Sequence, residues 1–159
     1  MTGIVLAGFG AAGRAWTTAY ISGLKSKCLV KTGPYSLCRN PLYFFSMLLA
    51  VGIGFCTETV TIPLLVCIIM ALLYGSQIKR EERLLAKSFG KEFQAYMAST
   101  PRFFPLFKHY CEPESICISP RPLMKGLFGI IFLLMLIALV QLLGTLHDAN
   151  LLPTYFHIY

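Results

Sequence analysis

Four long apolar runs constrain this chain more than anything else in it, because the polar residues left over are too few to wrap them in water. The runs fall at 3–24, 42–56, 60–78 and 126–146. The last is the plainest: Leu127-Phe128-Gly129-Ile130-Ile131-Phe132-Leu133-Leu134-Met135 has no polar side chain. A bilayer span takes about 20 apolar residues, so the runs read as membrane helices, and the second is short enough to need tilt, local thinning or a turn back. Thr57-Glu58-Thr59 leaves room only for a tight turn, which makes the second and third runs a helical hairpin. The expected fold is all-α, a single polytopic membrane domain over 1–159 with about four transmembrane helices. A central hairpin and a cytoplasmic closing segment form its motif core at 14–105, and 126–146 is an extra C-terminal span.

Charge sets the orientation. A hairpin returns the chain to the side it left, so the loop with Lys25, Lys27, Lys31 and Arg39 shares a face with the loop running from Lys79 to Lys125. Every Lys and Arg except Arg14 lies in those two loops, whereas the other face has only Glu58 and Asp148. Basic residues mark the cytoplasmic side of membrane helices. Both loops are therefore expected in the cytoplasm and both termini outside. The net charge of +7 serves that orientation and does not point to nucleic acid. The first run has no basic residue ahead of it and is expected to be a retained helix rather than a cleaved signal.

Past residue 78 the third helix keeps one apolar face through Leu84, Leu85 and Phe89, and Gly90 is a plausible stop. An amphipathic piece at 91–98 presents Phe93, Tyr96 and Met97 before Pro101 and Pro105 end it. Phe103-Phe104 suits the membrane interface. The stretch 111–122 reads as an ordinary loop.

Several features invite a different chemistry. Gly8-Phe9-Gly10-Ala11-Ala12-Gly13 spells a dinucleotide-binding pattern, but that motif needs an acidic residue about 20 positions on, and none occurs before Glu58. Small residues that let membrane helices pack closely explain it better. The six cysteines (Cys28, Cys38, Cys56, Cys67, Cys111, Cys117) form no C-x-x-C pair, and His109, His147 and His157 are scattered. No metal site follows. Arg14 sits inside the first apolar run and has two readings: snorkelling to the interface, or facing the interior of the bundle.

The two polar clusters that the hairpin brings to one side make a site. Arg39 offers a fixed fork of donors for a carboxylate or phosphate. Asn40 is a good N-cap and Pro41 fits the first turn of the second span, whose free amides add an anion site. Glu81 and Glu82 stand at the far end of the hairpin, one placed to face the site, able to hold an ammonium or ribose hydroxyls. Tyr35 and Tyr43 supply aromatic walls. A zwitterionic nucleoside such as S-adenosylmethionine matches all three features, while a charge collar that only orients the helices is the competing account.

In order, Gly33-Pro34-Tyr35, Arg39-Asn40-Pro41-Leu42-Tyr43, Glu81-Glu82-Arg83-Leu84-Leu85 and Phe89-Gly90-Lys91-Glu92-Phe93-Gln94-Ala95-Tyr96, closed by Pro101 and Pro105, resemble the signature of the isoprenylcysteine carboxyl methyltransferase and phospholipid methyltransferase families. The resemblance implies an integral membrane methyltransferase using S-adenosylmethionine at the cytoplasmic face, with a lipophilic or lipidated acceptor, methylated on a carboxylate or an amine, entering from the bilayer lipids. It implies that Tyr35, Arg39, Asn40, Pro41, Tyr43, Glu81, Glu82 and Tyr96 line the cofactor pocket, with Arg39 and Glu82 as the catalytic pair. Asn40 stands where these families carry histidine, Phe45-Ser46 where many carry a glycine, Phe93 where the first tyrosine falls, and Ser99 where the eukaryotic carboxyl methyltransferases carry an arginine. Arg102 lies near enough to stand in for that arginine. Membrane sterol reductases share such a hairpin but use NADPH, for which Lys79, Arg80 and Arg83 offer charge. A non-catalytic membrane scaffold is the third alternative. The small size suggests a prokaryotic plasma membrane.

Overall fold

The computed structural model describes residues 2–22, 24, 28–57, 59–116 and 118–148; Lys25, Lys27, Glu58, Cys117 and His157 lie outside them. In chain order the elements are α1 Thr2–Ile21, α2 Pro34–Leu37, α3 Pro41–Phe55, α4 Thr61–Ser99, a 3-10 turn Phe107–His109 and α5 Pro120–Asp148. The described residues hold helix and loop and no strand, so the all-α expectation stands.

Small residues decide how the helices meet. A Cβ on Gly10 would fall 2.4 Å from the backbone nitrogen of Leu49, and one on Gly52 would fall 2.4 Å from that of Ala7. Gly3 likewise lies against the backbone at Gly52 and Cys56, and Gly13 against the ring of Phe45. As the number on α1 rises its partner on α3 falls, so the two helices run antiparallel with their backbones nearly touching. Gly10 and Gly13 of the dinucleotide-like pattern are thus spent on helix packing, inside a continuous helix.

The α3–α4 pairing has the same antiparallel register: Gly54 abuts Pro63 at the turn, and the rings of Tyr43 and Tyr74 lie 4.7 Å apart at the other end. This is the hairpin. On the other flank α5 packs on α1, where Gly126 meets Thr18 and Ile130 joins a buried cluster with Ala7, Ala11 and Leu49. α5 begins at Pro120, ahead of the expected residue 126, because Pro120 and Pro122 both fit a first helical turn.

Among the described residues α4 is the one helix long and apolar enough to cross a membrane, and α3 is a shorter apolar helix. Much of the apolar half of α4 is exposed, including Leu64, Leu65, Leu72 and Leu73. Beyond that half the helix turns polar and runs on to Gly90, whose φ of 49° breaks it before it resumes to Ser99. The resumed piece buries Phe93 and Tyr96. Thr100 is extended, as the residue before a proline must be.

The segment after α4 folds back under α2 and α3. The Arg39 amide donates to the Pro101 carbonyl at 2.8 Å, and the Leu106 amide donates to the Leu37 carbonyl at 3.0 Å. The described residues of 111–119 are loop, as expected, and the start of the stretch is tied to α2 and the glycine before it. The Gly33 amide donates to the Cys111 carbonyl at 2.7 Å, and the Cys111 amide donates to Ser36 Oγ at 3.1 Å. The reach is long in sequence, which is why local patterning does not reveal it.

Candidate active site

α2 exists to turn the chain. Gly33 precedes it with a φ of 60°, and a Cβ there would strike the ring of Tyr20. Pro34 starts the single turn, and Cys38 then extends the chain toward α3. The consequence is that Tyr35 and Arg39 face the polar half of α4, where Glu81 and Glu82 stand.

Glu82 sits between two guanidinium groups. Arg39 Nη2 lies 3.4 Å from Glu82 Oε1, and Arg102 Nη2 lies 2.5 Å from Oε2. The first contact is one of charge without an aligned hydrogen bond, since Oε1 and Arg39 Nε have no hydrogen-bond partner. Arg39 and Glu82 are both largely buried, with side chains 13% and 12% exposed, so their charges are poorly screened. The arginine on the closing segment is the participant that sequence motifs leave unassigned. Its position near Thr100-Pro101 was the only signal, and the contact itself is tertiary.

Asn40 does not act as the expected N-cap. Its side chain makes no capping bond, and Nδ2 instead donates 2.9 Å to the Arg102 carbonyl. With Pro41 at the first helical position one amide is already absent, so the side chain is better used to hold the closing segment. Where the signature that this stretch resembles has a histidine, an amide stands here and donates one backbone hydrogen bond.

Glu81 turns elsewhere. It lines a cavity of about 350 Å³ together with Tyr35, Arg39, Gln77, Arg80 and Tyr96. An adjoining chamber of about 240 Å³ shares Tyr35, Arg39 and Glu81 and adds Asn40, Tyr43, Ser46, Tyr74 and Arg14. Arg14 therefore faces the bundle interior, and its Nη1 donates to Ser46 Oγ. Phe45 points the other way, over Gly13 and toward Trp16, so it does not narrow the site. Cavities of roughly 300–1,000 Å³ with a few convergent polar groups are typical of small-ligand sites.

The tyrosines are held neutral. Tyr96 Oη donates 2.6 Å to the Tyr35 carbonyl. Burial, then the neighbouring Tyr96 and Glu81, pushes the Tyr35 phenol far above its ordinary value. Burial does the same to Tyr96, only partly offset by Arg39. Both remain hydrogen-bond donors with apolar faces at any physiological pH. All eight residues expected at the site are thereby drawn around one region: Tyr35, Arg39, Glu81 and Tyr96 on the larger cavity, Asn40 and Tyr43 on the chamber beside it. Glu82 holds the junction, and Pro41 starts the helix behind it.

A model of the phospholipid methyltransferase family matches residues 2–92. The cobalt-zinc-cadmium resistance protein CzcN of Cupriavidus metallidurans is 36% identical over 96% of this chain and 68% of its own length. The nickel-cobalt-cadmium resistance protein NccN of Alcaligenes xylosoxydans xylosoxydans is 34% identical over 98% of this chain and 71% of its own length. No solved structure matches. The family match covers more than half of the chain, which therefore belongs to the phospholipid methyltransferase family.

Proposed function

We propose that this protein is an integral membrane methyltransferase that takes its methyl group from S-adenosylmethionine and delivers it to a lipophilic acceptor. The observation that carries the proposal is the 350 Å³ cavity, where two guanidiniums, a carboxylate and two neutral tyrosines converge. The donor set fits the cofactor: Arg39 for the carboxylate, Glu81 for the ammonium or the ribose hydroxyls, Tyr35 and Tyr96 as walls for a base. When bound, that cofactor supplies a methyl group activated on sulfonium. The protein's own part is to position and to keep water out. Glu82 tethers Arg39 and the closing segment, so its carboxylate is committed to two guanidiniums. Glu81 is better placed than Glu82 to take a proton where an acceptor must lose one.

A mostly apolar cavity of about 330 Å³, lined by Met47, Ala71, Tyr74, Phe103 and Phe104 together with Lys79 and Arg102, gives a lipophilic acceptor a way in from the bilayer. Tyr74 borders both that cavity and the inner chamber. The domain is proposed to be single, spanning the membrane about four times through α1, α3, α4 and α5, with the site on the cytoplasmic face of a prokaryotic plasma membrane. The basic loops support that orientation. The relatives are named for metal resistance, and that is the setting proposed for methylation of a membrane component by this chain. Among the described residues no three His, Cys, Asp or Glu side chains gather to hold a metal ion.

Calorimetric titration of the detergent-purified protein with S-adenosylhomocysteine tests this. Binding is expected for wild type, weakened about tenfold or more by Glu81→Gln, the scale of one charged hydrogen bond. NADPH should not compete. Binding of NADPH in place of S-adenosylhomocysteine would favour a reductase, and binding of neither would favour a scaffold.

A further inference from the structure

Arg14 belongs to none of the signature motifs, yet it reaches the same site. It stands on α1 opposite Ser46 of α3, to whose hydroxyl its guanidinium donates. With Tyr43, Tyr74 and Glu81 it lines the inner chamber of about 240 Å³. An arginine inside an apolar helix is costly unless its surroundings compensate it, and a neutral hydroxyl compensates orientation, not charge.

The charges around it do not balance either. The two chamber walls carry Arg14, Arg39 and Arg80 against Glu81. Glu82 is already held between Arg39 and Arg102. A sulfonium cofactor adds positive charge to a site that has an excess of it. An amine acceptor arrives as another cation, whereas a carboxylate supplies the missing counter-charge, and a guanidinium fork matches its two oxygens.

We propose, resting on the methyltransferase reading above, that Arg14 determines acceptor specificity by holding the carboxylate of a lipophilic acid in the inner chamber. Ser46 fixes the direction of the guanidinium. Tyr74 stands where the apolar tail cavity meets that chamber. The transfer balances without a base. A carboxylate oxygen forms a bond to the methyl carbon, the carbon–sulfur bond of the sulfonium breaks, and its electron pair stays on sulfur. One anion and one cation become a neutral ester and a neutral thioether, and no proton moves.

The test uses the full chain in lipid nanodiscs, titrated with dodecanoate, with dodecylamine and with S-adenosylhomocysteine. Wild type is expected to bind dodecanoate more tightly than dodecylamine. In Arg14→Gln the affinity for dodecanoate should fall about tenfold or more, the scale of one charged hydrogen bond, and much further than that for S-adenosylhomocysteine. Arg14→Lys should keep the preference for the acid. A wild type that prefers the amine, or an acid preference that survives Arg14→Gln, overturns the proposal. Should Arg14→Gln fail to fold, the wild-type preference and Arg14→Lys decide it. Arg14-dependent dodecanoate binding in a protein that ignores S-adenosylhomocysteine would sink the methyltransferase reading and leave this anion site standing.

Discussion

The α1–α3 seam and the Arg39–Glu82–Arg102 junction both join distant parts of the chain, and they hold by opposite means. The seam brings backbones together by leaving atoms out: Gly3, Gly10, Gly13 and Gly52 sit where any side chain would collide. The junction holds by charge and by the Asn40 amide, on a segment that approaches only after α4 has run its full length. A seam of this kind is broken by adding a carbon. A junction of this kind is broken by removing a charge while leaving the shape intact.

The largest effect should come from overfilling the seam. Gly10→Leu forces side-chain atoms into the backbone of Leu49, where even a Cβ would lie 2.4 Å away. Overpacking costs about 1–3 kcal/mol where a core can give, and a backbone contact gives little. The expected outcome is loss of folded protein in detergent, read by thermal unfolding or size exclusion. Gly8→Ala sharpens the point, because nothing lies within 4 Å of a Cβ there. That change should leave the protein as stable or more so, since alanine favours a helix by about 1 kcal/mol over glycine.

Glu82→Gln should come next. It leaves Arg39 largely buried with its counter-charge gone, though Arg102, at 46% exposed, keeps water as a partner. A charged hydrogen bond of this kind is worth about 2 kcal/mol. The loss should concentrate on the closing segment, so trypsin is expected to cut at Arg102 and Lys108 faster than in wild type while α1 and α3 stay protected. Uniform protection across the chain would mean that the junction does not hold the segment.

The two regions also differ in how far they were legible. The seam could be read from spacing, since glycines and alanines recurring on an apolar helix have one common use. The hairpin was equally open, because Cys56 and Val60 bound a connection that permits nothing else. Arg39, Glu81 and Glu82 could be placed near one another by that same hairpin. What could not be read was which acid faces the cavity and which is locked in the junction. Adjacent residues on a helix differ by about 100° in direction, and the choice depends on where Arg102 comes to rest. Asn40 misled for a related reason. Its position before Pro41 is that of a cap, and only the folded-back carbonyl of Arg102 offers the better partner.

Asn40→Ala should cost about 1 kcal/mol, the typical worth of one neutral hydrogen bond, by freeing the Arg102 carbonyl. Asn40→His restores a ring N–H donor at the position and should recover most of that loss. Differential scanning with both variants, alongside Glu82→Gln, would show whether amide and ion pair hold the same segment. If they do, the double variant should cost less than the two changes added, because a released segment has nothing more to release.

The smallest effect probes how tightly the junction is sealed. Cys38, the residue before Arg39, has no exposed surface, whereas Cys28 and Cys111 are exposed. Burial pushes the Cys38 thiol up from 9.0 to about 11, against a smaller lowering by its backbone hydrogen bond near Asn40. Only a thiolate reacts readily, so a maleimide should label Cys28 and Cys111 and spare Cys38. The sign for stability follows from the same shift. Above 9.0 the unfolded chain gives up this proton first, so the folded state binds more protons and loses stability as pH rises toward about 11. Relative to Cys38→Ala, wild type should show its full advantage below 9.0 and lose it through that window. Equal slopes for the two proteins, or labelling of Cys38 as fast as Cys111, would mean that water reaches the junction and that the seam alone excludes it.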